Sequence, residues 1–444
     1  MLMRRILTLV LSVVALYASA VERQSFTAVL TAGGQLAETL GSQANQIESL
    51  VVEGPLDEAD FNTMWSACWN GMLTDIDLSQ AKIAGNAIPE WAFYHPREQE
   101  QELPNHPLSV RFLPLASIIL PDEVESIGKW AFAYTKITSI KLPDSLKTLG
   151  MGAFKSCRFL EDDIELPEPL TNIPRECFCR CNKIGKVFCH DKIESIGLQA
   201  FFESSLTEIN IPEGVTEIGI DAFSRTKLTS VTIPESCIKM GSGILAECDA
   251  LTSVTVKSRC YIPHDFALYS FNLAECSFAE GIEVIGQNAF GETSLKTITL
   301  PASLKKIESD AFYMNESLES IYSLATIPFP QGEVNAFVCD KSIPVYIPQG
   351  SLEAYKSATG WWSYFTNLIE VDMAGVDDAV AAPAASVSVQ GGAIVITGNG
   401  EDYAVFSADG RSIAAGRASG SVSVDAVPGL YIVRTGAKTV KVRL

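Results

Sequence analysis

The chain has 444 residues, 47% of them apolar and 19% charged, with 53 acidic against 33 basic side chains and a formal charge of −20. That length exceeds what one ordinary compact core organises and suits a repeat array with a small accessory domain. The acidic surface repels phosphate backbones and anionic lipid, which sets nucleic acid aside as a partner.

Residues 1–20 read as a secretory signal. Arg4 and Arg5 form a charged start, residues 6–16 an apolar core, and Ala18-Ser19-Ala20 a small-x-small cleavage site before Val21. The apolar core is too short to span a bilayer, and no later stretch is long enough. The expected location is therefore outside the cell, secreted or on the outer surface.

Residues 21–72 are expected to form an N-terminal cap region, and 73–345 a repeat array. Leu206-Thr-Glu-Ile209-Asn-Ile211-Pro212, followed by Val215, Ile218-Gly219 and Ala222-Phe223, recurs in phase. Leu295, Ile298, Leu300-Pro301, Leu304, Ile307 and Ala311-Phe312 repeat it. The shared frame is Leu-x-x-Ile-x-Leu-Pro-x-x-Val-x-x-Ile-Gly-x-x-Ala-Phe. Its first six residues predict a short strand with Ile and the last Leu inward. Pro ends the strand, because it has no N–H to donate. Gly is expected to permit the following turn, and Ala-Phe to supply one small and one large core residue. One unit cannot cover its own apolar face, whereas stacked units can.

The outward strand residue falls at Ile119, Lys141, Glu165, Phe188, Asn210, Thr232, Thr255, Ser277, Thr299, Tyr322 and Tyr346. The step is about 23 residues, as repeat solenoids require. Val51 and Asp77 mark two weaker, earlier rungs. The frame degrades at Cys177-Phe178 and Ile244-Leu245, and near Asp265-Phe266 its Pro, Gly and Ala-Phe are all lost. An insertion, roughly residues 95–107, is polar and proline-bearing and is expected to be a loop.

This frame resembles the BspA-like, or treponemal-type, leucine-rich repeats of bacterial surface proteins. Residues 30–33 and 56–61 resemble the N-terminal part of such proteins in Bacteroides-like bacteria, and Ile347-Pro348 with Trp361-Trp362 resembles their terminal cap, here residues 346–371. The resemblance implies adhesion and binding of host or matrix proteins. It carries no ligand residues over, because members differ in ligand.

Residues 372–384 are small and Ala-rich and read as a linker. From 385 to 444 short strands flank Gly391-Gly392 and Asp409-Gly410, predicting hairpins and a small C-terminal β-sandwich. This tail resembles the C-terminal sorting domains of the type IX secretion pathway, through its hairpin, Gly429-Leu430-Tyr431 and basic final strand. A terminal β-domain without a sorting role is the other reading.

Eleven cysteines raise disulfide and metal readings. Eight occupy core columns, where a thiol acts as a small hydrophobe. Cys157 with Cys181, and Cys237 with Cys260, share columns in adjacent coils, close enough for disulfides. Cys177, Cys179 and Cys181 lack the spacing structural zinc prefers, and alternation sends Cys179 outward. No phosphate loop, nucleophile elbow or zinc-protease motif is present. No metal, no cofactor and no enzymatic activity are expected. Binding is expected on the exposed ladder, at Phe188 and Tyr322 with Lys141, Asn210, Thr232, Thr255 and Thr299. Proteins of a host or microbial surface are the expected partners, and glycans are the alternative.

Overall fold

The computed structural model describes residues 24–103, 106–329, 336–373, 386–390, 393–407, 412–425, 430–435 and 438–443. The expected signal segment and nearly all of the linker lie outside them.

The fold is a leucine-rich-repeat solenoid whose coils have three sides, each bonded to the next coil. The first side is the expected parallel ladder. It begins earlier than Val51, at Ser25–Val29, which pairs with Ser49–Leu56, then Asp75–Ile83 and Ser117–Ile119. It resumes through Ile164–Glu165, Lys186–Phe188 and Glu208–Ile209, then Ser230–Ile233, Ser253–Val256 and Glu275–Phe278. It ends with Thr297–Leu300, Ser320–Ser323, Val345–Pro348 and Leu368–Val371. The registers follow the sequence frame, for example Thr232 opposite Thr255 and Thr255 opposite Ser277.

The second side, read from the sequence only as inward Val and Ile, is also a ladder. Two-residue strands such as Ser195–Ile196, Glu217–Ile218 and Lys239–Met240 pair in parallel. Except at Pro89, Pro174 and Glu308, each of these strands is followed by the frame glycine. Its φ is not positive at Gly128, Gly150, Gly197, Gly219, Gly241 or Gly286, so turn freedom is not why it is needed. A Cβ on Gly150 would lie 2.3 Å from the Lys129 nitrogen, and one on Gly219 2.4 Å from the Leu198 nitrogen. Glycine is there because the preceding coil's backbone passes where a side chain would be.

The third side is a run of turns. Gln199, Phe201 and Glu203 donate their N–H groups to the carbonyls of Ile220, Ala222 and Ser224 in the next coil. Two residues four apart hold positive φ in coil after coil, mostly without glycine: Trp130 and Tyr134, Glu176 and Arg180, Gln199 and Glu203, Asp221 and Arg225. Such conformations cost roughly 1 kcal/mol each, offset here by three inter-coil hydrogen bonds per turn.

Within this side the frame phenylalanines form a stack. Phe93, Phe132, Phe154, Phe178, Phe201 and Phe223 follow one another with centroids 5.4–5.7 Å apart, nearly parallel. At the coil near Asp265 the pair is inverted and not lost. Leu245 donates to the Phe266 carbonyl, and Ala267 to the Ala289 carbonyl. Phe266 thus fills the small column and Ala267 the large one, both fully buried. Swapping the order keeps the volume nearly constant, the change a core tolerates best.

Three residues after each Phe-column position runs a buried polar column: Thr135, Cys157, Cys181, Ser204, Thr226, Cys248, Ser270, Thr293 and Asn315. The Cys157 thiol donates to the Phe132 carbonyl (3.1 Å) and the Cys181 thiol to that of Phe154 (3.1 Å), as Ser270 does to Leu245 (2.8 Å) and Asn315 to Phe290 (2.7 Å). These cysteines stand in for hydroxyls. All eleven cysteines are free. Cys179, expected outward, is buried, and burial pushes its thiol up to about 11.

The insertion differs from the expected loop. It forms a short helix, Pro96–Gln99, and an antiparallel pair, Glu100–Leu103 with His106–Val110. Gln99, fully buried, anchors it: its Oε1 accepts the His95 N–H (2.6 Å) and the Trp65 indole N–H (3.3 Å), and its Nε2 donates to the Arg111 carbonyl (3.2 Å).

The tail is antiparallel. Both expected hairpins form, but the inner strand of each belongs to one long strand, Ala393–Ser407, that pairs with Ser386–Gln390, Ser412–Asp425 and Leu430–Thr435. Lys438–Arg443 adds to the last of these. Ile394, Ile396, Val405, Val424, Tyr431 and Val433 form its own small core.

Candidate functional site: the exposed strand ladder

The outward column of the first ladder changes character along the solenoid. Ile119, Lys141, Glu165, Phe188, Asn210 and Thr232 are exposed, Thr255 and Ser277 half-buried, Thr299 buried, and Tyr322 and Tyr346 half-buried. The expected contacts therefore share one face, but not on equal terms.

Lys141 lies where the ladder is interrupted. Its neighbour Ile140 donates its N–H to the Asp162 carboxylate (3.1 Å) and not to a strand. A cleft of about 490 Å³ opens there between Lys141 and Glu165, lined also by Asp144, Asp163 and Glu168. The step between these rungs is 24 residues, the same as between Tyr322 and Tyr346, which remain paired.

Phe188 is the most open aromatic of this column at 43% exposure, beside the Lys186–Glu208 ion pair (2.6 Å). Asn210 is committed to structure: its amide oxygen accepts the Cys189 N–H (2.9 Å) and its amide nitrogen donates to the Cys189 carbonyl (2.7 Å). It works as a rung made from a side chain.

Thr299 corrects the expectation of an outward contact. It is only 7% exposed, and its hydroxyl is buried without a hydrogen-bond partner. Tyr322 is its register partner on the next coil and stacks on Tyr346 with centroids 4.6 Å apart, 22° between planes. A branched residue beside two large rings is overhung by them, and strand alternation alone does not show this. Trp362 is buried against Tyr355 (4.7 Å) and Phe329 (5.5 Å).

One concavity was not expected. A cavity of about 350 Å³ opens beside the ladder, lined by Thr255 and Ser277 with Lys257, Arg259, Phe278 and Glu280 among its walls. Its signal in the sequence is the row that follows the strand. That row reads Pro121, Pro143, Pro167, His190, Pro212, Pro234, Lys257, Ala279, Pro301. Two adjacent prolines are missing where the cavity lies. With N–H groups restored, Lys257 donates to Ile233 (2.9 Å) and Ala279 to Val256 (2.8 Å), so the ladder runs one residue further.

Among the described residues no group of three or more His, Cys, Asp or Glu side chains is placed to hold a metal, and no helix is long and apolar enough to cross a membrane. Burial pushes the Cys157 and Cys189 thiols up to about 12, which disfavours the thiolate form.

The chain matches the BspA type leucine rich repeat region family, in six copies over residues 111–226 and 194–319. No curated protein matches it. Among solved structures, a leucine-rich repeat protein from Bacteroides ovatus aligns at 21% identity over 68% of this chain and 84% of its own, with a TM-score of 0.45. A leucine rich cell surface protein from Faecalibacterium prausnitzii aligns at 20% over 67% and 90%, with a TM-score of 0.33. The pneumococcal vaccine antigen PcpA aligns at 16% over 73% and 79%, with a TM-score of 0.36. The family match spans residues 111–319, and the parallel rungs on either side of it extend the same solenoid.

Proposed function

We propose that this protein is a secreted or surface-held, non-enzymatic binding protein that docks proteins of a host or microbial surface through its strand ladder. Phe188 carries the reading. The frame needs nothing at the outward position, yet an aromatic ring stands there in the open at the middle of the exposed run, and buried rings of this kind anchor protein interfaces. The signal-like residues 1–20 support export. The antiparallel tail supports the sorting reading through its similarity to type IX sorting domains.

The test is surface plasmon resonance of the intact mature chain against purified matrix and cell-surface proteins, wild type beside Phe188→Ala. The expected result is a bound panel member whose affinity falls at least tenfold, about 1.4 kcal/mol, in the variant. A wild-type chain that binds no member, or a variant that binds equally well, overturns the reading. Mass spectrometry of the exported protein checks the tail: loss of residues from about 385 onward is expected if it is a removable sorting signal.

A further inference from the structure

We propose that the cavity between the Thr255 and Ser277 rungs binds an uncharged oligosaccharide, which names the ligand class of one part of the binding face and rests on the reading of that face as a binding surface.

A repeat that keeps its fold while abandoning its consensus has spent those positions on something other than folding. Here the solenoid runs through the degenerate coils without a break in its turn side: Leu245 bonds to Phe266, Ala267 to Ala289 and Phe290 to Ala311. The strand sides change: the second ladder stops after Lys239–Met240 and restarts from an isolated bridge between Ile262 and Ile285. Lys257 and Ala279 replace two consecutive prolines, and Phe278 replaces the aliphatic residue found at Leu142, Leu166, Ile211, Ile233 and Leu300. The cavity of about 350 Å³ is the result, within the span of small-ligand sites.

Its chemistry suits a sugar. Phe278 is half-buried, held edge-on by Phe290 at 5.6 Å, and offers an apolar wall. Thr255 and Ser277 bring hydroxyls that both donate and accept. The charged groups at the rim already have partners: Arg259 pairs with Glu235 (2.8 Å), Lys257 more loosely with Glu213 (3.8 Å), and the Glu280 carboxylate accepts the N–H groups of Ala302 (2.6 Å) and Ser303 (3.1 Å). An anionic ligand would have to break these pairs on a chain of charge −20. A cationic one finds more unshared carboxylate at the Lys141 cleft than here. The adjoining face is largely hydroxyl, from Ser230, Thr232 and Ser253 across to Thr297, Ser320 and Tyr322, with the exposed Glu275 carboxylate as its one charge. Uncharged polyols satisfy hydroxyls on one side and pack C–H groups on an aromatic wall on the other.

The experiment is a printed array of uncharged and acidic oligosaccharides probed with the full mature chain, followed by calorimetry with the best uncharged hit. Two variants restore the frame: Phe278→Leu, which leaves the backbone hydrogen bonds in place, and Lys257→Pro with Ala279→Pro, which gives up the two bonds to Ile233 and Val256. The expected result is binding of uncharged glycans that weakens at least tenfold in both, with a folded circular-dichroism spectrum retained and the melting temperature unchanged in Phe278→Leu. An empty array with a folded protein, binding confined to acidic glycans, or uncharged binding unaltered by both variants overturns the proposal. Because Phe188 lies three coils away, its variant separates failure here from failure of the protein-docking reading.

Discussion

The Asp60 carboxylate accepts the Leu36 N–H at 2.9 Å, joining residues 24 apart in sequence. The same carboxylate takes the N–H groups of Gly34 (2.8 Å) and Asp57 (2.9 Å), and Asp57 caps the helix Glu58–Asn70 in return. The two N-terminal motifs, residues 30–33 and 56–61, are thus one lock. A Cβ on Gly33 would lie 2.9 Å from the Asp57 side chain, so glycine is required for closure.

Asp60→Ala should free this end of the solenoid. Asp60 is fully buried, and leaving its donors unmatched costs roughly 2–3 kcal/mol. Amide exchange should quicken across residues 25–70 and stay unchanged beyond 111, since coils contact only their neighbours. Uniform protection in the variant would show that the lock contributes little.

Two glycine replacements separate space from backbone angle. Gly219→Ala puts a methyl 2.4 Å from a backbone nitrogen and should cost about 3 kcal/mol, the upper end for overpacking. Gly350→Ala meets nothing within 4 Å but keeps φ at +82, and should cost only about 1–2 kcal/mol. Chemical denaturation ranks them, and the reverse order would refute the close-approach account.

The polar column predicts which cysteines tolerate a hydroxyl. Cys157→Ser should change stability by less than about 1 kcal/mol, because serine keeps the hydrogen bond to the Phe132 carbonyl. Cys276→Ser should lose roughly 2 kcal/mol, because its rung neighbour is Val254 and a bare hydroxyl is buried there. Equal losses would mean the thiols serve only as filler.

Acid should loosen the contact between the Glu176 turn and its neighbour. Burial pushes the Glu176 carboxyl up, but hydrogen bonds and charges from Lys155 and Arg175 outweigh it and leave it below the usual carboxylate range. A lowered folded value means the stabilisation is present above the unfolded value, about 4.3, and is lost as pH falls through the folded one. Wild type should therefore lose more stability than Glu176→Gln between about pH 5 and about pH 3. Parallel pH profiles for the two proteins would rule this out.

Much of this was legible because a solenoid writes its packing as a period. The Leu, Ile and Phe columns follow from spacing, and the registers from the outward residue. What escaped depended on neighbours a full coil away. Thr299 is covered by a residue 23 positions later. Glycine is demanded by the previous coil's backbone, not by its own turn. The Phe266–Ala267 inversion defeats a search for Ala-Phe in order, although the space filled is the same. The insertion shows no alternation, and contacts distant in sequence, the Trp65–Gln99 bond and the Trp65–His95 stack (4.0 Å), fix where it lies. The cavity was visible as an absence, two prolines missing in a row.

The interruption at Lys141 has a mechanical meaning. The second ladder also stops between Thr148–Leu149 and Asn172–Ile173, where Pro174 stands in the frame glycine's place and has no N–H to offer Leu149. Between those coils the sheets on two sides are cut, and the turn side alone is continuous, through Phe154 to Cys177, Ser156 to Cys179 and the stacked rings of Phe154 and Phe178. A pulling force along the axis would concentrate on that one hinge line. The rod should part there first, into two pieces that each keep a closed core.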